Sequence, residues 1–160
     1  MPTEADTCRR FVVPKLQAAG WEDEPHSIAE QRTITDGRIV PVGRGFIRKP
    51  PKRVDYLLRY RRDFPLALVE AKASYRKAAD GMQQAKEYAG MLGLAFAYAT
   101  NGDELVEFDG LAGREAARAE YPTPAELWQR YREATNLGDP RIAAQLLTPS
   151  NYAVGQLSHA

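Results

Sequence analysis

A chain of 160 residues, 44% hydrophobic and 27% charged, has room for one sizeable core and too much apolar character for long disorder. Its net charge of +1 singles out no partner class, and its single cysteine, Cys8, excludes an internal disulfide framework or a cysteine-built zinc site. No apolar run approaches the roughly 18 residues that cross a bilayer, and residues 1–6 lack a basic, then apolar, leader, so the chain is expected to be cytoplasmic.

The first element is a helix from Thr3 to Ala19. Thr3 with Asp6 three residues on is a capping-box-like start, and Ala5, Cys8, Phe11, Val12 and Ala19 share a face. Pro14 removes a backbone donor inside it and should kink or split it. Gly20 ends the helix, and Trp21 is expected to begin extended chain. Between 27 and 42, short β-branched pieces flank Asp36-Gly37, a hairpin turn signal.

Residues 54–60 and 66–72 read as strands joined by the polar turn 61–65, hence an antiparallel pair. The second strand is apolar on both faces before its charges begin, which marks a central strand. Ala78 to Leu92 reads as a helix with Met82, Ala85, Ala89 and Leu92 as its apolar stripe, ended by Gly93. A buried strand is expected at 94–100, a turn at Asn101-Gly102 and another strand at 104–108. Strand, helix and strand over 66–100 predict a parallel crossover. Ala112 to Ala119 is expected to be a short helix, and Thr123-Pro124 starts another that runs to about Ala134.

The chemistry concentrates on two strands. Glu70 and Lys72, two apart, point to one face at the end of a buried strand, where an acid and a base are costly unless paired or bound. Asp55 on the neighbouring strand can face them. Two carboxylates and a lysine suit a magnesium site, with waters and a phosphate completing the coordination. On spacing alone, a structural Glu–Lys pair at a strand end remains equally open. Residues 44–62 carry eight basic side chains (Arg44, Arg48, Lys49, Lys52, Arg53, Arg59, Arg61 and Arg62) against the lone acid Asp55, with Tyr56 and Tyr60 interleaved. Next to a phosphodiester site such a stretch reads as a patch for the DNA backbone. His26 and His159 have no ligand spacing and read as surface residues.

Val54-Asp55, fourteen residues, then Glu70-Ala71-Lys72 resembles the PD-(D/E)xK nuclease motif, with Val54 where proline is usual. Gln84-Ala85-Lys86-Glu87-Tyr88 resembles the Gln-xxx-Tyr motif that follows it in the R subunits of type I restriction enzymes. Thr3-Glu4-Ala5 with the basic pair Arg9-Arg10, Ala19-Gly20-Trp21, Ala99-Thr100-Asn101-Gly102, Val106-Glu107-Phe108-Asp109 and Tyr121-Pro122-Thr123-Pro124 leading to Leu127-Trp128 fall in the same order, so the resemblance spans about residues 3–135. It implies a nuclease domain over 1–135 with a tail or linker at 136–160, built as an α/β restriction-endonuclease-like core with a central mixed sheet flanked by helices. It also implies Mg²⁺-dependent DNA cleavage, with Mn²⁺ able to substitute. By resemblance Asp55, Glu70 and the Ala71 carbonyl bind the metal, Lys72 is the catalytic lysine, and Gln84 and Tyr88 support cleavage.

Glu4 shares a helix face with Cys8 and Phe11. It is either a first-turn acid beside the helix dipole or a further catalytic acid, and the resemblance favours the latter. Arg48, Lys49, Lys52 and Arg53 are the residues expected on DNA. No GxxxxGK[ST] motif is present, so ATP-driven work would belong to helicase-type domains of a longer polypeptide, with specificity and methylation subunits as partners. Another PD-(D/E)xK repair or junction nuclease, or a catalytically silent DNA-binding or assembly module, remains an alternative.

Overall fold

The computed structural model describes residues 3–35, 38–39 and 52–135. The helical start is α1 (Glu4–Thr7), a π-helical turn over Cys8–Val12, and α2 (Val13–Ala18). The expected capping box is present: the Thr3 N–H donates to Asp6 Oδ2 and the Asp6 N–H to Thr3 Oγ1, each at 3.1 Å. The expected split is present as well. The Val13 N–H reaches back to the Cys8 carbonyl, one residue further than an α-helix allows, and a new helix begins with Pro14 in its first turn, where its missing donor costs nothing.

The strands are β1 (Ser27–Thr35), β2 (Arg38–Ile39), β3 (Lys52–Arg61), β4 (Phe64–Ala71), β5 (Phe96–Thr100), β6 (Leu105–Asp109) and β7 (Arg114–Ala117). A 3₁₀ turn (Ala78–Gly81) leads into α3 (Met82–Leu92), and α4 (Pro124–Thr135) closes the described chain. The seven strands form one mixed sheet in the order β2-β1-β3-β4-β5-β6-β7. β3 and β4 are antiparallel, and β4 and β5 are parallel, crossed by α3, both as expected. Every residue of β5, and all of β4 but Pro65, is buried.

Each face of the sheet has its own core. On one, Met82, Ala85, Tyr88 and Ala89 of α3 cover Leu57, Leu68, Ala97 and Ala99. On the other, Val12 and Leu16 of the N-terminal helices, Trp21, and Leu127, Trp128 and Tyr131 of α4 pack on Tyr56, Leu58, Val69, Phe96 and Tyr98. No helix among the described residues is long and apolar enough to cross a membrane.

Three expectations are corrected. Residues 112–119 do not form a helix. Asp109 Oδ1 accepts the N–H groups of Leu111 and Ala112, Gly113 takes φ 68°, and the chain turns back as β7 against β6. An alanine-rich stretch with all four strand residues exposed has no apolar face for helical packing, and the turn decides its form. Trp21 does not begin a strand. It is fully buried, its indole N–H donates to the Pro122 carbonyl at 2.9 Å, and extended chain starts only at Ser27. Nor is His26 a surface residue. It is half-buried between Trp21 and Tyr60, with Nδ1 2.6 Å from the Tyr60 carbonyl oxygen.

Candidate active site

Asp55 and Glu70 stand across from one another on β3 and β4, one step beyond the last ladder pair, Tyr56 and Val69. Side chains take over there from the backbone ladder. The Asp55 N–H donates to Glu70 Oε1 at 3.3 Å, and the Ala71 N–H donates to Asp55 Oδ2 at 2.8 Å. The two carboxylates thus meet on the face covered by α3. Glu70 is 3% exposed, while Asp55 is half-open to solvent.

Burial first, and the facing Asp55 carboxylate second, push the Glu70 carboxyl up from 4.5 to about 9, against the pull of the Asp55 N–H and the Lys72 ammonium. A pair of carboxylates that cannot both ionise side by side is a donor set that a hard divalent cation satisfies, so these residues fit the magnesium expected of them. Among the described residues no group of three or more His, Cys, Asp and Glu side chains forms a metal cluster. The pair would be completed by the Ala71 carbonyl at the same strand end and by water.

Lys72 shares the face of Glu70. Its backbone N–H donates to the Thr100 carbonyl at 2.8 Å, which pins it to β5. Its side chain runs under Gly81, where an added Cβ would sit 3.3 Å from Lys72 Cγ and 3.4 Å from Cε. The start of α3 therefore lies on the stem of the lysine, a contact that sequence reasoning missed. Gln84 and Tyr88 follow on the same helix, and Gln84 Nε2 donates to the Tyr88 hydroxyl at 3.0 Å. Tyr88 is buried within the stripe itself, and Gln84 is half-buried at its edge.

The remaining expected residues are dispersed. Glu4 opens α1, whose continuation packs on the opposite face of the sheet, and its side chain lies outside the described residues. Arg48 and Lys49 also lie outside them. Lys52 begins β3, and Arg53 is exposed two residues from Asp55, hence on its face.

Within β3 the basic residues are spread along the strand. Arg61 lies six residues along β3 from Asp55, about 20 Å at strand rise, and Arg59 Nε donates to Ser27 Oγ. The interleaved tyrosines are not free for bases either. Tyr56 is 4% exposed, and Tyr60 stacks on Trp128 with ring centroids 4.7 Å apart. An open groove of about 800 Å³, lined in part by Lys15, Glu104, Arg118 and Tyr121, contains none of the expected site residues.

Another buried acid went unsingled in the sequence. Glu107, 4% exposed, accepts the Tyr98 hydroxyl at 2.6 Å and both outer nitrogens of Arg130 at 2.9 Å, and Arg130 continues to Asp109 at 3.1 Å. Burial alone would raise its carboxyl, but Arg130 and Tyr98 hold it below the usual range. It lies on the α4 face and ties that helix to the sheet. Its signal was an acid at a strand position whose β5 partner is the buried Tyr98.

Fold and site together define the class: an α/β domain whose central mixed sheet, flanked by helices, carries a carboxylate pair and a lysine at adjoining strand ends. No family model matches. The endonuclease subunit of the type I restriction enzyme EcoAI from Escherichia coli is 36% identical over 135 residues, covering 81% of this chain and 16% of that protein. A solved fragment from Vibrio vulnificus YJ016, assigned as an HsdR subunit of a type I restriction enzyme, is 49% identical with a TM-score of 0.76, over 90% of this chain and 27% of that one. The chain is a homologue of type I restriction enzyme endonuclease (HsdR) subunits, matched over most of its own length and a minor part of theirs.

Proposed function

We propose that this chain hydrolyses DNA phosphodiester bonds with Mg²⁺, or Mn²⁺ in its place, as the nuclease part of a type I restriction enzyme R subunit. The observation that carries the reading is the Asp55–Glu70 pair, two carboxylates face to face at the end of a buried strand, with Lys72 two residues on. Asp55, Glu70 and the Ala71 carbonyl would hold the ion. Held there, a divalent cation supplies charge that polarises a phosphodiester and makes water more acidic.

The rest falls to the protein. The Lys72 ammonium offsets charge that builds on the phosphate oxygens and orients the attacking water. Gln84 and Tyr88 support the reacting phosphate from α3. Arg53, with Lys52, Arg48 and Lys49 before it, draws the backbone of double-stranded DNA to the carboxylates. Helicase-type ATPase domains of the same polypeptide and specificity and methylation subunits are the partners the homology suggests.

The test is nicking of supercoiled plasmid with Mg²⁺ or Mn²⁺ by wild type, Lys72→Ala and Asp55→Ala. Wild type should cut, and each variant should lose at least about a hundredfold, the scale of one removed charge-stabilising group. Equal cutting by all three would overturn the site assignment. DNA binding with no cutting under either metal would favour a silent assembly module.

A further inference from the structure

We infer that the β5–β6 turn, through Asn101 and Glu104, is a positioning device for Lys72. The inference rests on the nuclease reading of that lysine. Asn101 is 6% exposed and uses all four of its hydrogen-bonding positions. Its Oδ1 accepts the N–H groups of Asp103 and Glu104 at 3.0 and 2.8 Å, which closes the turn. Its Nδ2 points outward from the turn and donates to the Arg76 carbonyl at 2.6 Å and to Glu104 Oε1 at 3.0 Å. The same Glu104 oxygen accepts the Ala78 N–H at 3.0 Å. Two side chains of one turn thus grip the segment between Lys72 and α3.

That segment ends at Gly81, which lies on the Lys72 stem. The last residue of β5, just before the turn, holds the lysine's own backbone, since the Thr100 carbonyl accepts the Lys72 N–H. Its back is braced. Lys15 Nζ donates to the Gly102 carbonyl at 2.8 Å, and the Phe11 ring lies so close to Gly102 that an added Cβ would stand 3.1 Å from it. A path of direct contacts therefore runs from the N-terminal helices, through the turn, to the middle of the segment between Lys72 and α3. The β5–β6 turn is more than a link between strands: it sets where the lysine's ammonium stands.

Asn101→Asp separates this role from mere folding. It keeps both acceptor bonds that close the turn and loses the donor to the Arg76 carbonyl and the donor that steadies Glu104. Two measurements at one pH read the result: amide hydrogen exchange, and the ¹³Cε resonance of Lys72, identified by its loss in Lys72→Arg. Exchange at Ala78 and Asp80 should quicken at least about tenfold while Tyr98 and Val106 stay protected. The Lys72 resonance should move and that of Lys86 should not. Glu104→Ala should reproduce the loosening, and Glu104→Gln, which keeps an acceptor for Ala78, should restore it.

Plasmid nicking should fall between about ten- and a hundredfold with DNA affinity within about twofold. An unmoved Lys72 resonance, or exchange that quickens equally in Tyr98 and Val106, overturns the inference. If wild type fails to nick, the nuclease reading fails, and resonance and exchange still decide what the turn does.

Discussion

Asp55 and Glu70 each reach across to the other's strand and bind a backbone N–H there. The Asp55 N–H is held by Glu70 Oε1, and Asp55 Oδ2 holds the N–H of Ala71, the residue after Glu70. The reciprocity locks two acids together at the point where β3 and β4 stop pairing as a ladder, and it makes the site's electrostatics measurable.

Without metal, Glu70 should make the fold less stable as pH rises. Its folded carboxyl sits near 9 against an ordinary 4.5, so between those values the folded chain binds the extra proton and stability falls with pH. The loss by pH 7 is about 3 kcal/mol as an upper figure. Urea unfolding in EDTA from pH 5 to 9 should show this slope in wild type and lose most of it in Glu70→Gln. Millimolar Mg²⁺ should flatten the wild-type slope. A wild type with no more slope than the variant would contradict the buried-acid account.

The basic approach is predicted to be local to the first half of β3. Arg53→Ala should reduce the slope of log DNA affinity against log salt by about 0.9, the share of one phosphate contact. Arg61→Ala, exposed but at the far end of the strand, should leave it unchanged. Equal effects from both would restore the single continuous patch that the sequence suggested.

Glu107 and Arg130 are predicted to serve stability alone. Removing the buried acid leaves Arg130 with Asp109 alone and the Tyr98 hydroxyl without its acceptor, so Glu107→Ala should cost about 2–3 kcal/mol. Because its carboxyl is held below the ordinary 4.5, the bond helps most above that pH and its contribution fades as pH falls further, a dependence that Glu107→Gln should lack. Metal affinity measured by calorimetry should stay within about twofold, since the network lies on the opposite face of the sheet. A large loss of metal binding in a folded variant would argue against that separation.

Tyr88→Phe isolates one hydroxyl. It takes away the acceptor of Gln84 Nε2 and should cost about 1 kcal/mol in stability, as should Gln84→Ala. If the pair serves cleavage, nicking should drop at least about tenfold in both while DNA affinity holds. Stability losses with unchanged nicking would make them packing residues at the helix edge.

Local rules carried much of the fold. The Thr3–Asp6 box, the break at Pro14, the antiparallel β3–β4 pair and the parallel crossover to β5 all follow from short-range chemistry or from strand periodicity. Residues 112–119 defeated it because alanines carry no facial pattern, and the turn set by Asp109 and Gly113 sent them into β7 instead. His26 looked isolated because Tyr60, the β3 residue whose carbonyl it meets, lies 34 positions along the chain.

The triplet was legible for a physical reason. A two-residue spacing on a strand puts Glu70 and Lys72 on one face whatever surrounds them, and an apolar run before them implies burial. What distance along the chain cannot encode was left to tertiary structure. Only the β3–β4 register brings Asp55 opposite Glu70, and only the return of the chain through β5 sets Asn101 on the Arg76–Ala78 segment and Gly81 on the Lys72 stem. The sequence determined which acids and which lysine stand at a strand end. The packing of the sheet and the β5–β6 turn decided that they face one another, because those contacts join residues 15 to 28 positions apart.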